Sequence, residues 1–184
     1  TTEPPALNIG SYKIKQTGGR VSFGVPFSEV DTVFFGIGAE RSRIETDITS
    51  PIRFKQYVID NGGPSDGIGS ATTNSIPLTA AWQRDSRDSA LTPSIGRYQR
   101  VNLEADLIGD QKYFRAIYEH QYFRPLFSKV TLALKGEIDY GHGIGKHVYP
   151  VFKNFYGGGI GSVRGYLSSS LGAVEPSTND ALGG

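Results

Sequence analysis

Lys129-Val130-Thr131-Leu132-Ala133-Leu134-Lys135-Gly136-Glu137-Ile138-Asp139-Tyr140 reads at period two. Val130, Leu132, Leu134, Ile138 and Tyr140 fall on one side, and Lys129, Thr131, Lys135, Glu137 and Asp139 on the other. Successive Cβ atoms of an extended chain point to opposite faces, so this alternation marks a strand with one apolar face.

Working outward from it, five earlier segments repeat the pattern. Val21, Phe23, Val25 and Phe27 alternate with Arg20, Ser22 and Gly24, and Val33, Phe35, Ile37 and Ala39 with Phe34, Gly36, Gly38 and Glu40. Ile76, Leu78, Ala80 and Trp82 follow, then Val101, Leu103, Ala105 and Leu107, then Phe114, Ala116, Tyr118 and Tyr122. No comparable stretch reads at the helical period. The expectation is an all-β chain, an antiparallel up-and-down meander with strands at about 20–27, 33–41, 76–84, 99–108, 113–123 and 129–140. Glu104, Asp106, Arg115, Glu119, Lys135, Glu137 and Asp139 would share one wall. A soluble sandwich buries its apolar face in a core, whereas a membrane barrel turns it to lipid and keeps charge inside. Periodicity fits both.

Composition narrows the function classes. The 184 residues carry 19 Lys plus Arg and 18 Asp plus Glu, so no net charge draws the chain to nucleic acid. Ten Phe, ten Tyr and 24 Gly suit short strands and tight turns. The absence of Cys excludes disulfides, thiolate metal sites and cysteine nucleophiles. Thr1-Thr2-Glu3-Pro4-Pro5 has neither a basic nor an apolar leader region, which predicts a processed or partial chain. No apolar run approaches the ~20 residues of a membrane helix, but a barrel strand needs only ~9–11.

The connections alternate in character. Pro26–Thr32 and Pro125–Ser128 read as short internal turns, Arg41–Ser75 and the stretch from Gly141 as long external loops. Asp85–Arg97 is longer than that rule expects and Gly109–Lys112 shorter. Tyr98, Tyr113, Phe114, Tyr122, Phe123, Tyr140 and Tyr149 cluster near segment ends, a pattern that fits an aromatic girdle and ordinary strand ends alike.

Catalytic and cofactor motifs do not survive inspection. Gly141-His142-Gly143-Ile144-Gly145-Lys146-His147 has Tyr140 where a phosphate loop needs its first Gly, and His147 where it needs Ser or Thr. Gly157-Gly158-Gly159-Ile160-Gly161 lacks the third Gly of a dinucleotide site. His142 and His147 have no visible third metal ligand. Ser162 lacks the strand-to-helix context of a nucleophile elbow, and Glu137 and Asp139 balance Lys135. The expectation is no enzyme, no catalytic residues, no metal and no cofactor.

Two segments are more specific. Asp85-Ser86-Arg87-Asp88, followed by Pro93 and Gly96, combines side chains that bond their own backbone with a fixed φ and a permissive Gly. Asn154-Phe155-Tyr156-Gly157-Gly158-Gly159-Ile160-Gly161-Ser162-Val163-Arg164-Gly165-Tyr166 follows the last strand. The first resembles a periplasmic turn, and the second the loop-six signature, of the outer-membrane β-barrel assembly factors, the BamA family. The resemblance runs from about Ser11 to Gly184.

The resemblance implies that residues 1–184 are a piece of one barrel domain. Its six strands, within about 20–140, would be the sixth to eleventh of sixteen transmembrane strands. Residues 141–184 would be the long sixth extracellular loop, with Ala181-Leu182-Gly183-Gly184 at its end. Gly157, Gly158, Val163, Arg164, Gly165 and Tyr166 would carry the loop motif, and Asp85, Arg87, Asp88, Pro93 and Gly96 the turn. In the family the loop docks inside the barrel and acidic residues of later strands hold its Arg, so Arg164 is expected to lack those partners here. The parent would be an outer-membrane insertase working with lipid, accessory lipoproteins and client β-barrels, without nucleic acid. A two-partner secretion transporter or translocation-and-assembly factor shares the loop motif, and a soluble β-sandwich binding module is the alternative of another class. Six strands leave open edges, so the piece alone is expected to self-associate.

Overall fold

The computed structural model describes residues 11–159, 162–174, 181 and 183. It divides into two compact units, one of residues 18–40 and 75–148, the other of the residues up to 17, 41–74 and 149 onward.

Seven strands form one antiparallel sheet. They are β1 Tyr12–Pro26, β2 Asp31–Thr46, β3 Gly69–Ser75, β4 Pro77–Asp85, β5 Gly96–Asp106, β6 Tyr113–Phe127 and β7 Val130–Gly143. The order is β1-β2-β4-β5-β6-β7, with β3 a side branch on β2. This path is the predicted six-strand meander. β1 begins eight residues earlier than expected, where Lys13, Lys15, Gly18 and Gly19 dilute the alternation, and β2 runs five further, through Ser42-Arg43-Ile44-Glu45-Thr46, where Ile44 is the one apolar residue. Pro125 lies inside β6, at a register shift between Pro125 and Phe127, so the turn there shrinks to Ser128-Lys129. A bulge frees Pro from the ladder donor it lacks.

In the unit of residues 18–40 and 75–148 the register lines up each face. Phe35, Ala80, Leu103, Ala116 and Tyr140 form one cross-strand rung, and Val33, Trp82, Val101, Tyr118 and Ile138 the next. On the opposite face Thr32, Gln83, Arg100, Glu119 and Glu137 align, as do Phe34, Ala81, Asn102, Ile117 and Asp139. The apolar face is bare: Phe23 is 69% exposed and Ile138 70%. No second sheet covers it among the described residues, so the sandwich expectation fails.

The girdle expectation needs correction. Phe114, Tyr122 and Tyr140 share the parity of the apolar rungs, but Tyr98, Tyr113 and Phe123 point to the polar face. Strand parity decides the face, and proximity to a strand end does not.

The other unit has an ordinary buried core of Ile44, Phe54, Tyr57, Val58, Ala71 and Val151, with Ile14 and Phe152 packed against it. The expectation of a chain without helix is corrected here by α1, Ile52–Asp60. Phe54, Tyr57 and Val58 stand at i, i+3 and i+4 and are all buried. Asn61, Gly62 at φ 81° and Gly63 end the helix. Nine residues are too few to be helical alone, so burial of that face stabilises it. Tyr57 hydroxyl and Thr73 Oγ1 bond at 2.9 Å, and Thr46 Oγ1 donates to Gly67 O at 2.6 Å. Val151–Lys153 is a single 3-10 turn whose Phe152 ring meets Tyr57 edge-on at 5.7 Å.

Candidate functional site

The sheet's polar face carries a charge network. Arg20 on β1 donates to Glu40 Oε1 at 3.1 Å and to Glu104 Oε2 at 3.2 Å. The hydroxyl of Tyr113, fully buried, donates to Glu104 Oε1 at 2.7 Å. Lys135 Nζ lies 3.3 Å from Glu119, which also accepts from Gln121 Nε2 at 2.7 Å. A recess of about 390 Å³ opens here among Arg20, Ser22, Arg100, Asn102, Glu104 and Arg115. The predicted charged wall therefore exists, with Arg20 and Glu40 as members that reasoning from the later strands passed over. Their place on the polar side of the first two alternating segments was the signal for them. Arg20 with Glu40 and Glu104, and Lys135 with Glu119, pair opposite charges, whereas Glu137 lies across from Glu119 and one Asp139 oxygen has no hydrogen-bond partner among the described residues.

The turn between β4 and β5 is built from the predicted residues. Arg87 holds the Asp85 carboxylate with both arms of its fork, Nε at 2.9 Å and a terminal nitrogen at 2.7 Å, and its guanidinium lies 4.7 Å over the Tyr98 ring. That carboxylate pushes the Arg87 pKa up from its ordinary value. Asp88 accepts from the backbone N–H of Ser94 at 2.8 Å and of Ile95 at 3.2 Å, and from the Ser94 hydroxyl. These donors, led by the Ser94 hydroxyl, hold its carboxyl down at about 2. Gly96 has φ 111°, and a Cβ there would sit 2.2 Å from Ser86 O. Only Gly fits, because the strand re-enters the sheet against the turn's own backbone. Pro93 is half-buried at the turn's far side.

The loop motif sits on a narrow turn-back. Gly157 and Leu171 form an antiparallel bridge, and Leu171 N donates to Gly157 O at 3.0 Å. Gly159 N donates to Tyr166 O at 3.1 Å and Ser162 N to Gly159 O at 3.2 Å. Gly158, Gly159 and Gly165 take φ of 107°, 90° and 94°. A Cβ on Gly158 would lie 2.4 Å from Leu167 O, so Gly at this position lets the two arms close. Val163, Arg164, Gly165 and Tyr166 occupy the tip and all are exposed. No ion pair reaches Arg164 among the described residues. Ile160 and Gly161, within the signature, and Leu182 and Gly184, at the expected loop end, lie outside the described residues.

The structure thus places turn motif, loop motif and charged wall on separate elements. No group of three or more His, Asp or Glu that could hold a metal occurs among the described residues. His142 belongs to β7, where its ring faces Phe114 at 6.4 Å.

Comparison with known proteins gives the same architecture. A BamA crystal structure from Haemophilus ducreyi, lacking POTRA domains 1–3, superposes with a TM-score of 0.81 at 22% identity, over 88% of this chain and 32% of that one. The outer membrane protein assembly factor BamA of Neisseria meningitidis serogroup B is 36% identical over 169 residues, 91% of this chain. BamA of Nitratidesulfovibrio vulgaris is 26% identical over 177 residues. The chain spans about a fifth of the length of these two relatives, 21% and 20%. The Omp85 superfamily domain matches residues 6–184. An open antiparallel meander with a bare apolar face, a charged opposite face and that domain over nearly its whole length has one reading: the chain belongs to the Omp85 superfamily, and its strands are outer-membrane β-barrel strands.

Proposed function

We propose that the protein containing this segment folds and inserts client β-barrel proteins into the outer membrane. It works with accessory lipoproteins, without nucleotide and without a catalytic residue. The likeness to the Neisseria assembly factor across nine-tenths of the chain carries this reading. The segment's part is structural. The β1–β7 sheet supplies a lipid-facing wall, and the loop presents Arg164 for capture by carboxylates on strands beyond Gly184. Glycine arms and a planar guanidinium suit that task, since the fork holds a carboxylate bidentately.

Removing one partner of a buried, hydrogen-bonded pair costs roughly 3–5 kcal/mol. In the whole protein, Arg164→Ala therefore lowers barrel stability and client porin levels, Arg164→Lys less so, and Arg53→Ala on the exposed side of α1 leaves both unchanged. Heat-modifiable gel mobility and porin abundance are the readouts. Equal behaviour of Arg164→Ala and Arg53→Ala refutes the docking role. Failure of the whole gene to restore porin levels in an assembly-factor-depleted strain refutes the insertase reading.

The isolated segment self-associates, because β1 and β7 end the strand order and the apolar face is uncovered. A stable monomer by light scattering in detergent-free buffer contradicts this.

A further inference from the structure

Three arginines leave the sheet on its apolar face. Arg84 on β4 has the parity of Trp82, Arg97 on β5 that of Val101, and Arg124 on β6 that of Tyr122. All three are exposed. The register staggers them: Arg84 pairs with Gln99, Arg97 with Tyr122 and Arg124 with Leu132. Each arginine thus stands one same-face step further along than the one on the preceding strand. Such a step is about 6.8 Å and strands lie about 4.8 Å apart, so the backbone positions form a diagonal row spaced about 8 Å.

The apolar band ends along the same diagonal. On β4 Trp82 is its last member before Arg84, on β6 Tyr122 is the last before Arg124, with Leu126 beyond it in the bulge, and on β7 the band runs to Val130, one same-face step past the Arg124–Leu132 pair. Barrel strands tilt by about 35–45°, so the membrane surface crosses them obliquely and a staggered row lies nearer to it than a rung perpendicular to the strands does. The row therefore marks one edge of the hydrocarbon. That edge lies on the side of the connections 27–30, 86–95 and 128–129, two of them short turns, and opposite the long 47–68 and post-143 connections, which assigns it to the periplasm.

The polar groups just inside the edge are engaged with one another. Gln99 Nε2 donates to the Tyr118 hydroxyl at 3.0 Å, which bonds His120 Nδ1 at 3.1 Å. Arg84 lies 3.7 Å from the carboxylate of Asp31, its cross-strand partner on β2. The Arg97 and Arg124 guanidinia have no hydrogen-bond or ion-pair partner among the described residues. Long basic side chains at such an edge lay their stems on apolar surface and carry the charge outward to the head groups.

We propose that Arg84, Arg97 and Arg124 form a binding row for the phosphates of anionic phospholipids in the periplasmic leaflet. A guanidinium pairs with phosphate in two parallel hydrogen bonds, and the stagger lets successive arginines reach successive head groups. The row needs only the membrane-spanning sheet, so it stands or falls separately from the insertase reading.

The test uses the whole protein reconstituted in phosphatidylcholine vesicles, with spin-labelled phosphatidylglycerol or spin-labelled phosphatidylcholine as probe. The wild-type protein immobilises phosphatidylglycerol preferentially, each arginine adding about fivefold at low salt. Arg84→Gln, Arg97→Gln and Arg124→Gln together bring the two probes near parity, while the corresponding Lys triple keeps most of the preference. Gln at Arg43, Arg53 and Lys55 together leaves it unchanged. Heat-modifiable mobility verifies the fold, and the Arg97→Gln, Arg124→Gln double is read in the same way if the triple does not fold. A preference that survives the Gln substitutions, or that the control triple abolishes equally, overturns the proposal. So does loss of preference for spin-labelled lipid A with phosphatidylglycerol preference intact, which would assign the row to the other leaflet.

Discussion

The unit that contains residues 41–74 packs Ile44, Phe54, Tyr57 and Val58 into a buried core, and the unit of residues 18–40 and 75–148 displays the large apolar residues of its strands. In the first, Ile44 and Val58 are fully buried, while Ile48, Ile52 and Leu167 stay exposed around that core. In the second, Phe23, Phe35 and Ile138 are all more than half exposed, while Glu104 and Asp139 are partly buried on the opposite face. One chain therefore obeys two solvent rules. Where water is the solvent, apolar burial stabilises by roughly 25 cal/mol per Å². Where lipid is the solvent that term vanishes, and the backbone ladder with its paired charges holds the strands.

The contrast can be broken by experiment, and the largest effect is expected in the water-soluble core. Phe54→Ala should destabilise its unit by about 3–5 kcal/mol, whereas Phe23→Ala in the membrane-embedded protein should change stability little. Hydrogen exchange of α1 amides and urea unfolding of the reconstituted barrel report the two. Comparable losses would show that both faces are buried alike.

Next in size is a charge on the lipid face. Phe35→Arg should cost about 2–4 kcal/mol, falling towards zero at the band's edge, and Ser22→Arg on the polar wall should cost much less. Folding titrations in vesicles measure both, and equal penalties would remove the distinction between faces.

Gly96→Ala is expected to cost about 1–3 kcal/mol through its left-handed backbone and the approach to Ser86 O. Gly136→Ala, where an added Cβ meets nothing, should fall well short of that. Thermal unfolding of the two variants sharpens the difference between a constrained turn and a plain strand position.

The smallest effect is in the same turn. Asp88 has its folded carboxyl held at about 2, below the ordinary 3.8, so its contribution to turn order is complete above pH 4 and is lost as pH falls towards 2. Titrating the Asp88 carboxyl by NMR should show that midpoint, and Ser94→Ala should move it upward. An unshifted midpoint in the wild type would mean the turn is not held by those donors.

Reading the strands was possible because period-two alternation persists through six segments, and the pairing then followed from their order. Phe34 was placed correctly on the polar side although it is apolar, since parity outranks side-chain chemistry once a register is set. The turn of Asp85, Arg87, Asp88, Pro93 and Gly96 was readable for a local reason: each residue acts on backbone within a dozen positions of itself. The loop signature was likewise visible as Gly157, Gly158 and the Val163–Tyr166 run, since its glycines and short motif are local features. α1 was not read, although Phe54, Tyr57 and Val58 have helical spacing. Nine residues carry too short a pattern, and its partners Ile44, Ala71 and Val151 are distant in sequence.

By itself the sequence determined the strand number on the main path, the two faces, the turn chemistry and the family, because alternation, φ-restricted residues and short motifs are local properties. Only the tertiary structure decided that α1 exists, that Tyr113 turns inward to Glu104, and that Arg20 joins β1 to Glu40 and Glu104. It also decided that Arg84, Arg97 and Arg124 fall on one diagonal. The helix depends on the burial of Phe54, Tyr57 and Val58 against distant residues, and the other contacts depend on which residue of one strand lies opposite which residue of another. That register is set by the summed packing and hydrogen bonding of whole strands, and no single segment encodes it.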